Sequence, residues 1–199
     1  MVLLQDPHSS KGFLPSFSGF KYFAPPVAGP RVPCYMSQNF LRRYAVLQSF
    51  PPESDDFITL VVSTPQGCFG TNSPRFPVGN AYARPRPPVP HSVSPESSLL
   101  NLDHPYILSG DFNVHNGTTD PFRLLSSKEE NESAPYLDRA SDLGFTLPNT
   151  RGVDTRFPFS GTHRPSTINL AFANPHILPR FHSWEASSLP QHDRITPPF

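Results

Sequence analysis

The sequence predicts a mixed α/β fold built mainly of strands. Short runs rich in β-branched and aromatic residues recur along it, bounded by Pro, Gly, Ser and Asn; Phe57–Thr64 (FITLVVST) is the clearest. The stretch Glu129–Leu143 carries Leu137, Ala140 and Leu143 at helical spacing. The order of these segments is not a βαβ alternation, so mixed sheets are expected in place of a doubly wound parallel sheet.

The elements follow in order. Val2–Leu4 is a short apolar run ended by Asp6-Pro7 and reads as a buried strand. Residues 8–30, rich in Phe, Ser, Gly and Pro, read as loop. Arg31–Ser37 reads as a strand weakened by Pro33, and Phe76–Ala83 as one containing Gly79. Residues 84–95 are a Pro-rich loop. Ser94-Pro95 then supplies an N-cap and a first-turn proline for a short helix to Leu102. Tyr106–Asn113 is a strand running into a polar turn, and 114–128 is loop. Gly144 is positioned as the C-cap of the 129–143 helix. Phe145–Leu147 and Thr167–Ala173 are further strands, and the tail to Phe199 is irregular.

Composition bounds the class. The 199 residues include 27 prolines, and 16 basic residues balance 16 acidic ones. Proline at that level suggests drift toward disorder, but the apolar content and zero net charge do not fit a disordered chain. One domain over 1–199 with long Pro-rich loops is expected. Zero net charge gives no global basic field for nucleic acid, though a local patch is compatible with it. Two cysteines, Cys34 and Cys68, are too few for a disulfide framework and read as buried or idle thiols. No apolar run approaches ~18 residues. The start at Met1 has no basic n-region, so no signal peptide is expected. Asn116-Gly117-Thr118 and Asn131-Glu132-Ser133 match the glycosylation triplet and read as chance.

The sharpest chemistry is Gly110-Asp111-Phe112-Asn113-Val114-His115. An apolar strand delivers an acid, an amide and an imidazole where it ends, which is where sheet-borne ligand groups collect. Asp111 and Asn113 are two apart, a spacing that puts both on one side of a strand. A carboxylate and an amide converging there suit an oxygen-liganded Mg²⁺ and an oriented water. A polar turn after a buried strand fits the same residues. Ser166–Phe172 and His192-Asp193-Arg194-Ile195 form a second, weaker cluster; alone, Asn169 is a strand-edge amide.

Together these segments resemble the endonuclease/exonuclease/phosphatase superfamily, and within it the endonuclease domain of non-LTR (LINE-type) retrotransposons in the form common in fungi. The family's G-D-F-N-x-H strand is matched in full by residues 110–115. Its S-T-I-D-L-x-F strand resembles Ser166–Phe172, with Asn169 in place of Asp. Its L-L-L-Q-E-P strand resembles Val2–Pro7, with Asp6 in place of a metal-binding Glu. Its N-x-Y-A strand is matched by Asn80–Ala83, and Thr155 is similar to a threonine preceding the late strand. Its closing Ser-Asp-His is met by His192-Asp193-Arg194. The likeness covers nearly the whole chain and lacks the family's first strand, which implies an N-terminally truncated copy.

The resemblance implies a four-layer α/β sandwich, with two mixed sheets packed face to face and helices outside. It implies a Mg²⁺-dependent DNA endonuclease (phosphoric diester hydrolase), with Mn²⁺ as the alternative metal. Asp111 would be the base and Asn113 its partner; Tyr82 would contact phosphate. Asn169, Asp193 and Arg194 would occupy the remaining catalytic positions, and Asp6, Asp111 and Asp193 the metal positions. DNA is the implied partner, with no membrane and no small-molecule cofactor, and the nucleus the implied location if DNA is the substrate.

The departures point to impaired catalysis. Asp6 is one methylene shorter than Glu, and Mg²⁺ demands near-ideal geometry. Asn169 lacks the charge that would stabilise an imidazolium; in the serine-protease template the equivalent loss costs ~10⁴-fold. Arg194 cannot give up a proton near neutral pH, and His192 is shifted from the position of the missing imidazole. Other classes fit parts of the chain. Arg84–Pro90 (RPRPPVP) suits a polyproline II ligand of an SH3-type domain. Arg42, Arg43, Arg84, Arg86, Arg164 and Arg194 suit phosphate contacts without cleavage. A transposon relic with no selected role fits the same departures.

Overall fold

A computed structural model of the chain describes residues 1–3, 14–26, 30–49, 56–63, 75–83, 103–155 and 165–180. Their strands form two sheets. The small sheet joins β1 (Val2–Leu3), β2 (Phe20–Phe23) and β3 (Cys34–Ser37) in the order β1-β3-β2, and its described pairs are antiparallel. The large sheet runs in chain order through β4 (Ala45–Ser49), β5 (Phe57–Ser63), β6 (Arg75–Tyr82), β7 (Ile107–Asp111) and β8 (Asn169–Ala173). Only β6 and β7 pair in parallel, so this sheet is mixed, as the patterning predicts.

Strand alternation builds a core on each face of the large sheet. Along β5, Ile58, Leu60 and Val62 point toward the small sheet and pack with Val32, Cys34, Met36 and Val78. The two sheets therefore meet face to face. Phe57 points the other way, into a cluster with Leu108, Phe112, Leu170 and Phe172. That outer face is covered by helix α2 (Ser127–Asp142) through Ala140 and Tyr136. Phe112 meets Phe172 edge-on at 5.2 Å and Tyr136 at 5.8 Å. Such ring pairs add about 0.5–1.5 kcal/mol to the burial of their area. Burial pushes the Cys34 thiol up to about 12, so it stays a neutral core group beside Asn80.

Helix α2 shows why the sequence folds as it does locally. Ser126 and Glu129 form a reciprocal capping box at its start, which satisfies two backbone donors the helix cannot. Gly144 follows its last turn at φ +68°, the left-handed conformation that ends a helix cheaply only at glycine. Pro135 sits inside the helix on its exposed side and removes one backbone bond.

Several expectations shift. The segment read as loop over 8–30 contains β2, whose Phe-Lys-Tyr-Phe run is flanked by Gly19 and by Ala24-Pro25. Its side chains are mostly exposed, so it lacks the buried alternation that marks a strand. The edge strand β4 and the four-residue helix α1 (Gln38–Leu41) carried no strong pattern either. Residues Phe145–Leu147 do not form a strand: Thr146 alone bridges to Ala173, and Pro148 cannot extend the ladder. Strand β3 starts at Cys34, after Pro33. The helix expected at 95–102, the Pro-rich loop at 84–95 and Cys68 lie outside the described residues. Among the described residues no helix is long and apolar enough to cross a membrane.

Candidate functional site

Strand register assembles the site. Tyr82 pairs with Asp111 across β6 and β7, and Asp111 pairs with Asn169 across β7 and β8. Paired residues share a face, so the three side chains stand in one row on the face turned toward the small sheet. The row lies at the end of β6 and β7 and the start of β8. Tyr82 is buried, whereas Asp111 and Asn169 are half-buried.

Gly110 lets β7 come this close to β6. A Cβ there would collide with the backbone carbonyl of Ala81. Beyond Asp111 the chain turns. Asn113 adopts φ +50°, a left-handed conformation that Asn tolerates better than most residues. Its backbone N–H donates to Asp111 Oδ1 at 2.9 Å, and its Nδ2 donates to the Ala83 carbonyl at 2.7 Å. Asp111 and Asn113 are thus brought together by a turn. The two-residue strand spacing expected from the sequence does not apply, because β7 has already ended.

The outer edge of β8 is closed by the preceding turn. Thr155 Oγ1 accepts from the Asn169 N–H at 3.0 Å, and Asn169 Nδ2 donates to the Thr155 carbonyl at 3.1 Å. Asn149 acts as a surrogate strand: its Nδ2 donates to the Asn169 carbonyl, and its Oδ1 accepts from the Ala171 N–H at 2.8 Å. An edge strand otherwise leaves these groups unpaired. The bond to Thr155 needs an amide at position 169; a carboxylate could only face that carbonyl with another oxygen.

Sequence reasoning missed Asn149 and also Arg31. Arg31 places its guanidinium over the Tyr82 ring, 5.5 Å from the centroid, within the range of a cation–π contact. It sits just before β3, in a segment whose only sequence signal was apolar. The register and turns bring together Tyr82, Asp111, Asn113, Asn169 and Thr155. Asp6, His192, Asp193 and Arg194 lie outside the described residues. Asn116 is buried, with its Oδ1 accepting from the Thr118 and Thr119 N–H groups, so it is a loop strut and no glycan acceptor.

The donors at the row are hard oxygens, the kind Mg²⁺ takes. Among the described residues no three His, Cys, Asp or Glu side chains come together for a metal. Asp111 is a carboxylate at the row, and the buried Asp56, whose backbone carbonyl accepts from the Tyr82 N–H at 2.8 Å, is another acid beside it.

No family model and no curated protein sequence matches the chain. Among solved structures it is similar to the endonuclease domain of TRAS1, a telomere-specific non-LTR retrotransposon. The TM-score is 0.61 at 15% identity, over 85% of this chain and 73% of that one. The chain shares the two-sheet α/β fold of that endonuclease domain.

Proposed function

We propose that this chain is a nuclease-like domain that binds DNA and cleaves its phosphodiester bonds weakly. The observation that carries the reading is the row Tyr82–Asp111–Asn169, fixed by strand register with Asn113 turned back onto Asp111. The fold shared with a retrotransposon endonuclease domain supports it. Asp111 would accept the proton of an attacking water. Asn113 would orient that water through whatever its amide has left after the bond to Ala83. Tyr82, with Arg31 over its ring, would face a phosphate oxygen. Asp6, Asp111 and Asp193 would hold Mg²⁺, which when bound supplies Lewis-acid stabilisation of the leaving oxygen.

The weakness follows from position 169. Its amide is spent on the Thr155 carbonyl and carries no charge to steady a cationic partner. Arg194 can neutralise phosphate but cannot act as an acid near neutral pH.

The test is nicking of supercoiled plasmid in Mg²⁺, beside an Asp111→Ala variant and a chelator control. Slow nicking that the variant and the chelator abolish is expected, since general-base removal costs about 10²–10⁴-fold. Nicking that persists in Asp111→Ala overturns the assignment. Rapid nicking by the parent overturns the impairment.

A further inference from the structure

A cleft of about 530 Å³ is lined by Asp120, Phe122, Arg123, Leu124, Gly152 and Asp154, on the loops that follow β7 and precede β8. That volume falls within the ~300–1,000 Å³ usual for small-ligand sites. Its walls are two loops at the same end of the large sheet. One runs on from Asn113; the other precedes β8. They are tied together by the Gly152 N–H, which donates to the Thr119 carbonyl at 2.9 Å. Asp154 is one residue from Thr155, which holds Asn169. Thr155 therefore links the cleft wall to the row.

The apolar side chains here are unusually uncovered. Phe122 is 87% exposed and Leu124 99%, the two most exposed large hydrophobics among the described residues. Neither sits on a loose loop. Asn116 Oδ1 accepts from two backbone N–H groups, and the Asp120 and Arg123 N–H groups bond back to Asn116 and Asp120. The Phe122 ring lies close over Gly152, where a Cβ would approach it to 2.9 Å. Glycine at 152 thus lets the ring seat at the cleft wall while its remaining surface stays open.

The polar lining selects the ligand. Asp120 and Asp154 would repel a phosphate. Arg123 does not offset them, because its guanidinium is held by Glu129 at 2.6 Å. Carboxylates beside an open aromatic ring instead suit a flat ligand that stacks and donates hydrogen bonds. Exocyclic amines of nucleobases are such donors, and aromatic side chains stack on any base. Burial and the neighbouring charge of Asp120 already push the Asp154 carboxyl upward. It has more to gain from a donor than an ordinary surface acid.

We propose that this cleft is a nucleobase pocket: Phe122 stacks an unpaired base next to the scissile position, and Asp120 and Asp154 accept from its amine. Guanine, with a ring N–H and an amine on one edge, suits a carboxylate best; thymine has no amine. The proposal rests on the nuclease-like reading and adds a source of base preference to it.

The test is fluorescence anisotropy with labelled oligothymidylate, with and without one central guanine, run beside the plasmid assay. The guanine strand is expected to bind the parent several-fold tighter. Phe122→Ala should weaken it about tenfold, within the range of a lost base–aromatic stack. Asp154→Ala should abolish the preference for guanine. Phe122 is so exposed that its removal leaves the fold intact, which circular dichroism checks. Equal binding of the two strands, or parental affinity in Phe122→Ala, overturns the pocket. Nicking without base preference leaves the cleavage reading standing and removes this one. Guanine preference lost in Phe122→Ala, without any nicking, does the reverse. No binding of either strand removes the pocket and leaves the cleavage reading to the plasmid assay.

Discussion

Two regions at one end of the large sheet are built in different ways. The row Tyr82–Asp111–Asn169 is set by backbone pairing of three strands, so its spacing follows from the ladder itself. The neighbouring cleft is set by side chains: Asn116 folds one loop, and Asn149 and Thr155 dock the other on β8. The ladder repeats a fixed geometry, and moving one residue means moving a strand. The loops hold their shape by a few bonds each and can change lining without disturbing the row. Chemistry placed on the ladder and selectivity placed on the loops would be a sensible division.

The sharpest way to break the ladder is Gly110→Ala. The added methyl meets the Ala81 backbone, which cannot step aside without separating β6 from β7. Overpacking of this kind costs about 3 kcal/mol. The denaturation midpoint should fall with an unchanged denaturant slope. Because Tyr82 and Asp111 are the neighbouring pair, any residual nicking should vanish as well. A midpoint within error of the parent would show that the strands can part without penalty.

Asn149→Ala attacks the joint between the two regions. It strips the Ala171 N–H of its acceptor in a buried setting, a loss of about 1–3 kcal/mol. Hydrogen exchange should quicken at Ala171, on the outer edge of β8, while amides bonded between β5 and β6 keep their protection. Uniform loss of protection would mean that ladder and loops unfold as one unit, and the contrast drawn above would be wrong.

What could be read in the chain divides along the same line. Residues 110–115 announce the row because strand, glycine, acid and amide fall on consecutive positions. Phe57–Ser63 was legible because β-branched and apolar residues crowd it, as suits a central strand buried along most of its length. Arg31 was not, since its role depends on Tyr82, fifty-one positions later, lying beneath it. Nor was the cleft: Phe122 and Leu124 look like ordinary loop residues until the turn carrying Gly152 is set against them. Strand β2 was hidden for another reason. Its outward side chains bury little, so pairing with β3 determines it more than its own pattern does.

The smallest effect should come from Glu129, which holds the cleft-lining Arg123. Its carboxylate accepts from the Ser126 N–H at 2.9 Å, from Arg123 at 2.6 Å and from the Ser126 hydroxyl at 2.9 Å. These bonds, the backbone one first, lower its pKa from 4.5 to about 2. A carboxylate depressed in the folded state stabilises the fold fully above its unfolded value. That contribution fades as pH falls from 4.5 toward about 2. Solvent screening keeps it to roughly 0.5 kcal/mol. Glu129→Gln should therefore lower the melting temperature slightly at neutral pH and flatten its fall across that acid range, so that the two proteins converge near pH 2. Since the hydrogen bonds of the Glu129 carboxylate run to Arg123 and Ser126, the same variant should loosen guanine binding in the cleft and spare nicking. A loss of nicking equal to the loss of binding would tie the cleft wall to the row and erase the distinction between them.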